Sequence, residues 1–381
     1  MSAAGLAPPL RGVKVLEFGS LAISSTCGLL CADYGADVVR VDRAQDRGKL
    51  GPDVLNRNKR SICIDLKDPA DITRFKALVR QADVLIESFR AGTMEKLGLG
   101  PEVLMKENER LVYARVTGFR RDSPDKDKPG HSINFVAPSG VLNLLGRQSA
   151  SLPAMLLAGI AGGGASCFQG ILLALFVRER TGRGQVVDAS IFDGGAYLTT
   201  MPRLLDKYTG WERFTDTFDL DCPYYNTYET ADGKLMAVGA LEPQFYKELL
   251  KALGLPVNDD IERHRYSKET WEKSRNAIKQ KFGTKTREEW ERVFEGVDAC
   301  VTPVYSDEEV EGRGCERRVP VELSLTPGLK IEKEGEGKLL LAGQHQDEVF
   351  DEWLGGNNDL GRSSGSGRPL HYPSVAAKSR I

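Results

Sequence analysis

The sequence predicts an α/β protein, a mostly parallel sheet covered by helices and followed by a smaller α+β unit. Three observations predict it. Over the first part of the chain, Val- and Ile-rich runs alternate with helical apolar periodicity, the βαβ pattern of a parallel sheet. Beyond Cys222 the pattern changes to paired strands and charged amphipathic segments. The 381 residues also exceed the roughly 250–300 at which a single hydrophobic core stops growing.

Strands of the first unit are predicted at VKVLEF, ADVVRVD, RSICIDL, DVLIES and LVYARVTG, in that order. Between the third and fourth, DPADITRFKALVRQA predicts a helix whose start is specified locally. Asp68 is its N-cap, and Pro69 takes the first helical position, where a missing N–H costs nothing. Ile72, Phe75, Leu78 and Val79 share one face. The first turn, FGSLAISST, is not G-x-G-x-x-G, so the close backbone approach that a dinucleotide pyrophosphate requires is not encoded, and a nicotinamide enzyme is disfavoured. The stripe Phe168, Leu172, Leu173 and Leu175 reads as core.

In the second unit, YYNTYETADGKLMAVGAL predicts two strands joined by an Asp-Gly turn. An amphipathic helix follows in EPQFYKELLKALGL, where Glu242 precedes Pro243. Residues 256–297 are charged and helical in pattern, QDEVFDEWL is a last helix, and the tail after Gly355 reads as irregular.

Composition narrows the partners. Lys+Arg 52 against Asp+Glu 54 leaves a net charge of −2 without a basic stripe, so neither nucleic acid nor an anionic membrane is expected. The seven cysteines are odd in number and scattered, which reads as reduced core residues of an intracellular protein. Cys27 and Cys31 are followed by no Cys or His pair at metal spacing, so no metal is expected. The longest apolar stretch, CFQGILLALFV, is about half of the ~20 residues a bilayer span needs. The N-terminus lacks the basic-then-apolar order of a secretory signal. The final SRI has the form of the peroxisomal S-K-L tripeptide, which points to a peroxisomal or cytoplasmic protein.

His131, one of four histidines, stands in PGHSINFVAPSG, after a polar loop and before an apolar run. The residues alone allow a satisfied core histidine or a chemical group.

LRGVKVLEF, GADVVRVDR, NRNKRSICIDLK, MEKLGLGPEVL, YARVTGF, GHSINF, TGRGQVVDAS, YETADGKLMAVGALEPQFY and DACVTPV, taken in this order, resemble the alpha-methylacyl-CoA racemase family of the class III, formyl-CoA transferase-like superfamily. The resemblance runs from about residue 10 to 345. It implies a Rossmann-like CoA-binding domain over 1–200, a linker over 201–220 and a small domain over 221–325. Residues 326–381 would return to the large domain and form the tail. It also implies an interlocked homodimer with the active site shared across its interface, and an acyl-CoA substrate with no cofactor.

Inverting a stereocentre beside a thioester requires a base on one face and an acid on the other, with the charge delocalised onto the thioester oxygen as an enolate. In the family the base is the histidine of G-H-D-I-N-Y, which is His131 here, and a glutamate of E-P-Q-F-Y sets its protonation, which is Glu242. Gly130, Ser132 and Asn134 flank the histidine as substrate-contacting residues. Coenzyme A would be held by Arg40, by Arg57, Lys59 and Arg60 of the NRNKR loop, and by Arg90 in ESFRAG, expected together at C-terminal strand ends. Gly162 opens GGGASCFQG, read either as a helix start aiming amides at the thioester oxygen or as a site of close helix packing.

The departure from the family lies at AGIAGGG. Where relatives carry the second catalytic residue, an aspartate, this chain has Gly159, and Ser132 replaces the aspartate that usually follows the histidine. Three readings stay open. One is a racemase in which Asp188, Asp193 or an ordered water serves the second face. Another is an epimerase for a different thioester, as in the relative acting on isopenicillinyl N-CoA. The third is a CoA-binding protein without racemase activity. A CoA-transferase is disfavoured, because the missing aspartate is the nucleophile of that chemistry.

Overall fold

The computed structural model describes residues 6–19, 22–142, 155–209, 222–257, 268–332 and 337–355. Its large sheet holds six parallel strands in the order β3-β2-β1-β4-β5-β6. These are β1 (Lys14–Phe18), β2 (Asp37–Arg43), β3 (Lys59–Ile64), β4 (Val84–Glu87), β5 (Val112–Thr117) and β6 (Val186–Ser190). The first five fall on the predicted runs. Every residue of β4 and β5 is buried, as expected of parallel strands covered on both faces. β6 pairs with β5 at the sheet edge and stays mostly outside the core, so no apolar run announced it.

Two apolar layers sandwich the sheet. On one side lie α2 (Pro69–Gln81), α3 (Thr93–Lys96) and α4 (Pro101–Glu107), around Phe75, Leu78, Val79 and Leu104. Asp68 caps α2 as its sequence predicts, accepting from Ala70 N at 3.0 Å. On the other side lies α1 (Ile23–Asp33), packed through Cys27, Cys31 and Ala32 against Cys167, Ile171 and Ala174. After α5 (Ser132–Val136), those last three sit on α6, a continuous helix over Met155–Thr181 whose first part, Met155–Ala165, is wound as a π-helix.

Three sequence expectations are corrected on α6. Gly162, Gly163 and Gly164 lie inside the helix, not at its start, and serve close packing. A Cβ at Gly162 would stand 2.7 Å from Gly195 N, and one at Gly164 would stand 2.8 Å from Thr26 Cβ. Leu172 and Leu173 are exposed instead of core. The apolar stretch is also longer than CFQGILLALFV. By length and composition alone α6 could cross a membrane, with a mean hydropathy of 1.8 over its best window and a third of that window buried.

The chain continues through α7 (Ile191–Leu198) and α8 (Thr200–Thr209), so part of the predicted linker is helical. The small antiparallel sheet β7-β8-β9 comprises β7 (Tyr225–Glu229), β8 (Leu235–Gly239) and β9 (Val301–Val304). Gly233 takes φ +73° in the predicted turn. Against this sheet pack α9 (Pro243–Ala252), α10 (Lys268–Phe282) and α11 (Arg287–Phe294), around Tyr228, Phe282, Trp290 and Phe294.

After α12 (Asp307–Gly312) the chain meets the large domain before the expected boundary at 326. Tyr34 Oη donates to Val321 O at 2.8 Å, and Leu329 N donates to Asp33 O at 2.7 Å. Further on, Cys63 N donates to Gln346 Oε1 at 2.7 Å and Ser61 N to His345 Nδ1 at 3.1 Å. These contacts and α13 (Gln346–Leu354) cover the edge left by β3. The tail, with SRI, lies outside the described residues. Five cysteines are buried, but Cys300 and Cys315 are exposed, which corrects the reading of all seven as core.

Candidate active site

β1 and β4 are neighbours whose connections leave in opposite directions, and α/β sheets bind ligands at the carboxyl ends of such a pair. Two adjoining cavities open there. One of about 850 Å³ is lined by Phe18, Gly19, Arg40, Arg43, Lys49 and Phe89 among others. The other, about 260 Å³, shares Phe89 and is lined further by Arg90, Gly118, Arg121, Gly130 and Phe135. The turn between β1 and α1 is strained at Ala22, a non-glycine residue with φ 69° and ψ −57°.

His131 stands at the start of α5, beside the smaller cavity. Its backbone is extended, with φ −121°, and its side chain is exposed, so the core-histidine reading is corrected. Two contacts hold the turn: His131 N donates to Asn134 Oδ1 at 3.0 Å, and Asn134 N donates to His131 O at 2.8 Å. The Phe135 ring anchors it. A Cβ at Gly118 would stand 2.3 Å from that ring and one at Gly130 2.7 Å, so both positions must be glycine for the ring to seat. Phe135 also meets Phe119 edge-on, with centroids 4.9 Å apart. Sequence reasoning missed Phe135 and Gly118, although two glycines before an aromatic were a readable signal.

Gly159 is buried on α6 and faces the residue after the histidine. A Cβ built there would stand 2.9 Å from Ser132 Oγ and 3.9 Å from Ser132 Cβ, and apart from its own helix no other described residue comes within 4 Å. The two positions that depart from the family are therefore in contact. Neither Asp188 nor Asp193 reaches this space. Asp193 accepts from Arg120 Nε at 2.7 Å and from Ser190 Oγ at 2.6 Å, and the guanidinium holds it below the usual carboxylate range, which leaves it without a proton to give at neutral pH. Burial pushes Asp188 up, so it is the better acid of the two.

Glu242 is the exposed N-cap residue of α9, beside Cys300 in the small domain. Among the described residues no hydrogen bond or ion pair joins it to His131 within one chain.

The expected cation cluster is only partly at the ligand edge. Arg40 lines the larger cavity, with Nε on Asp42 Oδ2 and Nη1 on Asn56 Oδ1, each at 2.9 Å. Arg90 lines the smaller one. Arg57, Lys59 and Arg60 are corrected. They precede or begin β3, so they enter from the opposite edge, and acids already hold them. Arg57 Nε donates to Asp33 Oδ1 at 2.8 Å. Arg60 Nη2 lies 2.6 Å from Asp37 Oδ2, and its Nη1 lies 2.7 Å from Glu352 Oε2 on α13. Lys59 Nζ is fully buried, 2.7 Å from Glu17 Oε2, and donates to Ser25 O at 2.9 Å. Burial pushes the Glu17 carboxyl up despite that lysine. Arg43, Lys49, Arg121, Lys126 and Lys128 line the cavities instead, and no sequence pattern sets them apart from other cations. Among the described residues no group of three His, Cys, Asp or Glu side chains could hold a metal ion.

The model of the family described as CoA-transferase family III matches residues 10–320. The human protein named alpha-methylacyl-CoA racemase is 46% identical over 305 residues, covering 79% of this chain and 79% of that one. The mouse protein of the same name is 45% identical over 304 residues, covering 79% of this chain and 78% of its own. The crystal structure of a CAIB/BAIF family protein from Brucella suis superposes with a TM-score of 0.74 at 22% identity, covering 91% of this chain and all of that one, which bears on the fold alone.

Proposed function

This chain belongs to CoA-transferase family III, and we propose that it works as an acyl-CoA racemase or epimerase, inverting the α-carbon of a 2-methylacyl-CoA or an isopenicillinyl N-CoA-like thioester. The observation that carries the mechanism is the exposed His131 seated beside the cavities and next to the Gly159–Ser132 contact. In this reading the imidazole takes the α-proton, and the charge moves onto the thioester oxygen as an enolate. A water held by Ser132 Oγ beside Gly159 returns a proton on the other face. The thioester supplies the acidity, so no cofactor enters. Arg40, Arg43 and Arg90 face the coenzyme A portion, and Gly130 and Asn134 hold His131 in place.

A transferase mechanism would need a carboxylate at position 159 to form a mixed anhydride with the acyl group, and glycine cannot do this.

We further propose the interlocked homodimer. Leu173, Phe176, Tyr197, Met201 and Tyr208 leave an apolar face on α6 to α8 that a second copy would cover, with Phe176 57% and Tyr197 80% exposed. The partner's small domain would then bring its Glu242 to His131. The setting we propose is peroxisomal or cytoplasmic, in keeping with the racemases that the chain is similar to.

The test is α-proton exchange in deuterated water over a panel of acyl-CoA thioesters, with light scattering for the dimer. A protein that binds coenzyme A but exchanges no α-proton from any of them would overturn the racemase reading. A monomer would overturn the shared site.

A further inference from the structure

The smaller cavity is walled by cations, with Glu87, Glu95 and Asp188 behind Arg121. Arg90, Arg121, Lys126 and Lys128 line it, and no carboxylate does. Below it, Glu87 and Glu95 are already engaged: Arg115 Nε donates to Glu87 Oε1 at 3.0 Å, and Arg115 Nη2 donates to Glu95. Lys128 has Asp125 at 2.6 Å, whereas among the described residues no ion pair is found for Arg90 or Lys126.

Arg121 is the distinctive member. Its side chain is only 9% exposed, and Nη1 lies 3.4 Å from both Phe89 O and Glu87 Oε1. Nη2 is buried without a hydrogen bond, and Glu95 Oε2 is 3.9 Å away, beyond bonding reach. A buried guanidinium donor left unused is costly, and its planar fork matches a carboxylate or phosphate. The cavity that Arg121 lines also has a wall at Gly130, one residue before His131.

We infer that this cavity is an anion subsite for the acyl group. Resting on the racemase reading above, it assigns the substrate class as an acyl-CoA whose short acyl chain ends in a carboxylate. Arg121 and Lys126 bind the far carboxylate while the α-carbon faces His131. About 260 Å³ admits a short acyl chain. The same chemistry would fit the diphosphate of coenzyme A, and the experiment separates the two.

Exchange and binding are measured on the full-length protein with 4-carboxy-2-methylbutanoyl-CoA and its neutral terminal amide, 4-carbamoyl-2-methylbutanoyl-CoA. A charge-assisted contact predicts a preference of about 10- to 100-fold in kcat/KM for the acid. Arg121→Gln should collapse that ratio toward one while free coenzyme A still binds, as read by calorimetry. Lys126→Gln, an exposed change that does not threaten the fold, should narrow the ratio by a smaller factor. Equal treatment of acid and amide by the wild type would overturn the subsite. So would variants that lose affinity for free coenzyme A and both thioesters alike, since the anion would then be the diphosphate. If neither thioester exchanges, the racemase reading fails on its own, and the ratio of the two affinities still tests the subsite.

Discussion

Gly159→Asp installs the acid that the family resemblance implies for this position, and the geometry allows its effect to be worked out. With His131 alone as acid and base, the enolate forms and is reprotonated on one face, so deuterium enters with retention. Inversion then depends on the slower water route at Ser132. Outside its own helix an aspartate Cβ at position 159 meets Ser132, most closely the hydroxyl at 2.9 Å, and that group can rotate away, whereas a backbone atom could not. Replacing glycine within a helix also gains roughly 0.3 kcal/mol of propensity, so the variant should fold. A positioned general acid contributes about 10²- to 10⁴-fold, or about 3–5 kcal/mol of barrier. With a water supplying part of this in the proposed mechanism, inversion should rise by about tenfold or more while exchange changes little. The assay follows one epimer in deuterated water, reading deuterium by mass spectrometry and configuration by chiral chromatography on the same samples. Wild type should exchange faster than it inverts, and Gly159→Asp should bring the two rates together. Wild-type inversion that keeps pace with exchange, unimproved by Gly159→Asp, would refute the argument and require another proton donor.

Three other outcomes follow from the same geometry. His131→Ala should lower exchange by about 10²- to 10⁴-fold and leave coenzyme A binding intact by calorimetry, because the side chain is exposed. Lys59→Met should cost about 3–5 kcal/mol in denaturant unfolding by stranding Glu17, and adding Glu17→Gln should recover much of the loss. Asp193 has a folded pKa below its ordinary value, so its contribution is present above pH ~4 and disappears as pH falls through the folded value. Asp193→Asn should therefore be less stable than wild type at neutral pH, and the gap should close on acidification.

The order of strands and helices was legible in the sequence because its causes are local. Val and Ile runs mark β1 to β5, and Asp68 with Pro69 starts α2 whatever it later packs against. His131 and Gly159 were also legible, through segments that resemble a family. Tertiary structure decided which surroundings each side chain meets. Lys59 and Arg90 look alike as loop cations, yet one is sealed against Glu17 while the other lines a cavity. Gly162 to Gly164 look like a helix start, yet they lie inside a longer helix, where Thr26 and Gly195 leave no room for a side chain. The contact between Ser132 and position 159, and the spare guanidinium donor of Arg121, join elements distant in the chain. No local pattern encodes such contacts, since burial and charge pairing belong to the assembled fold.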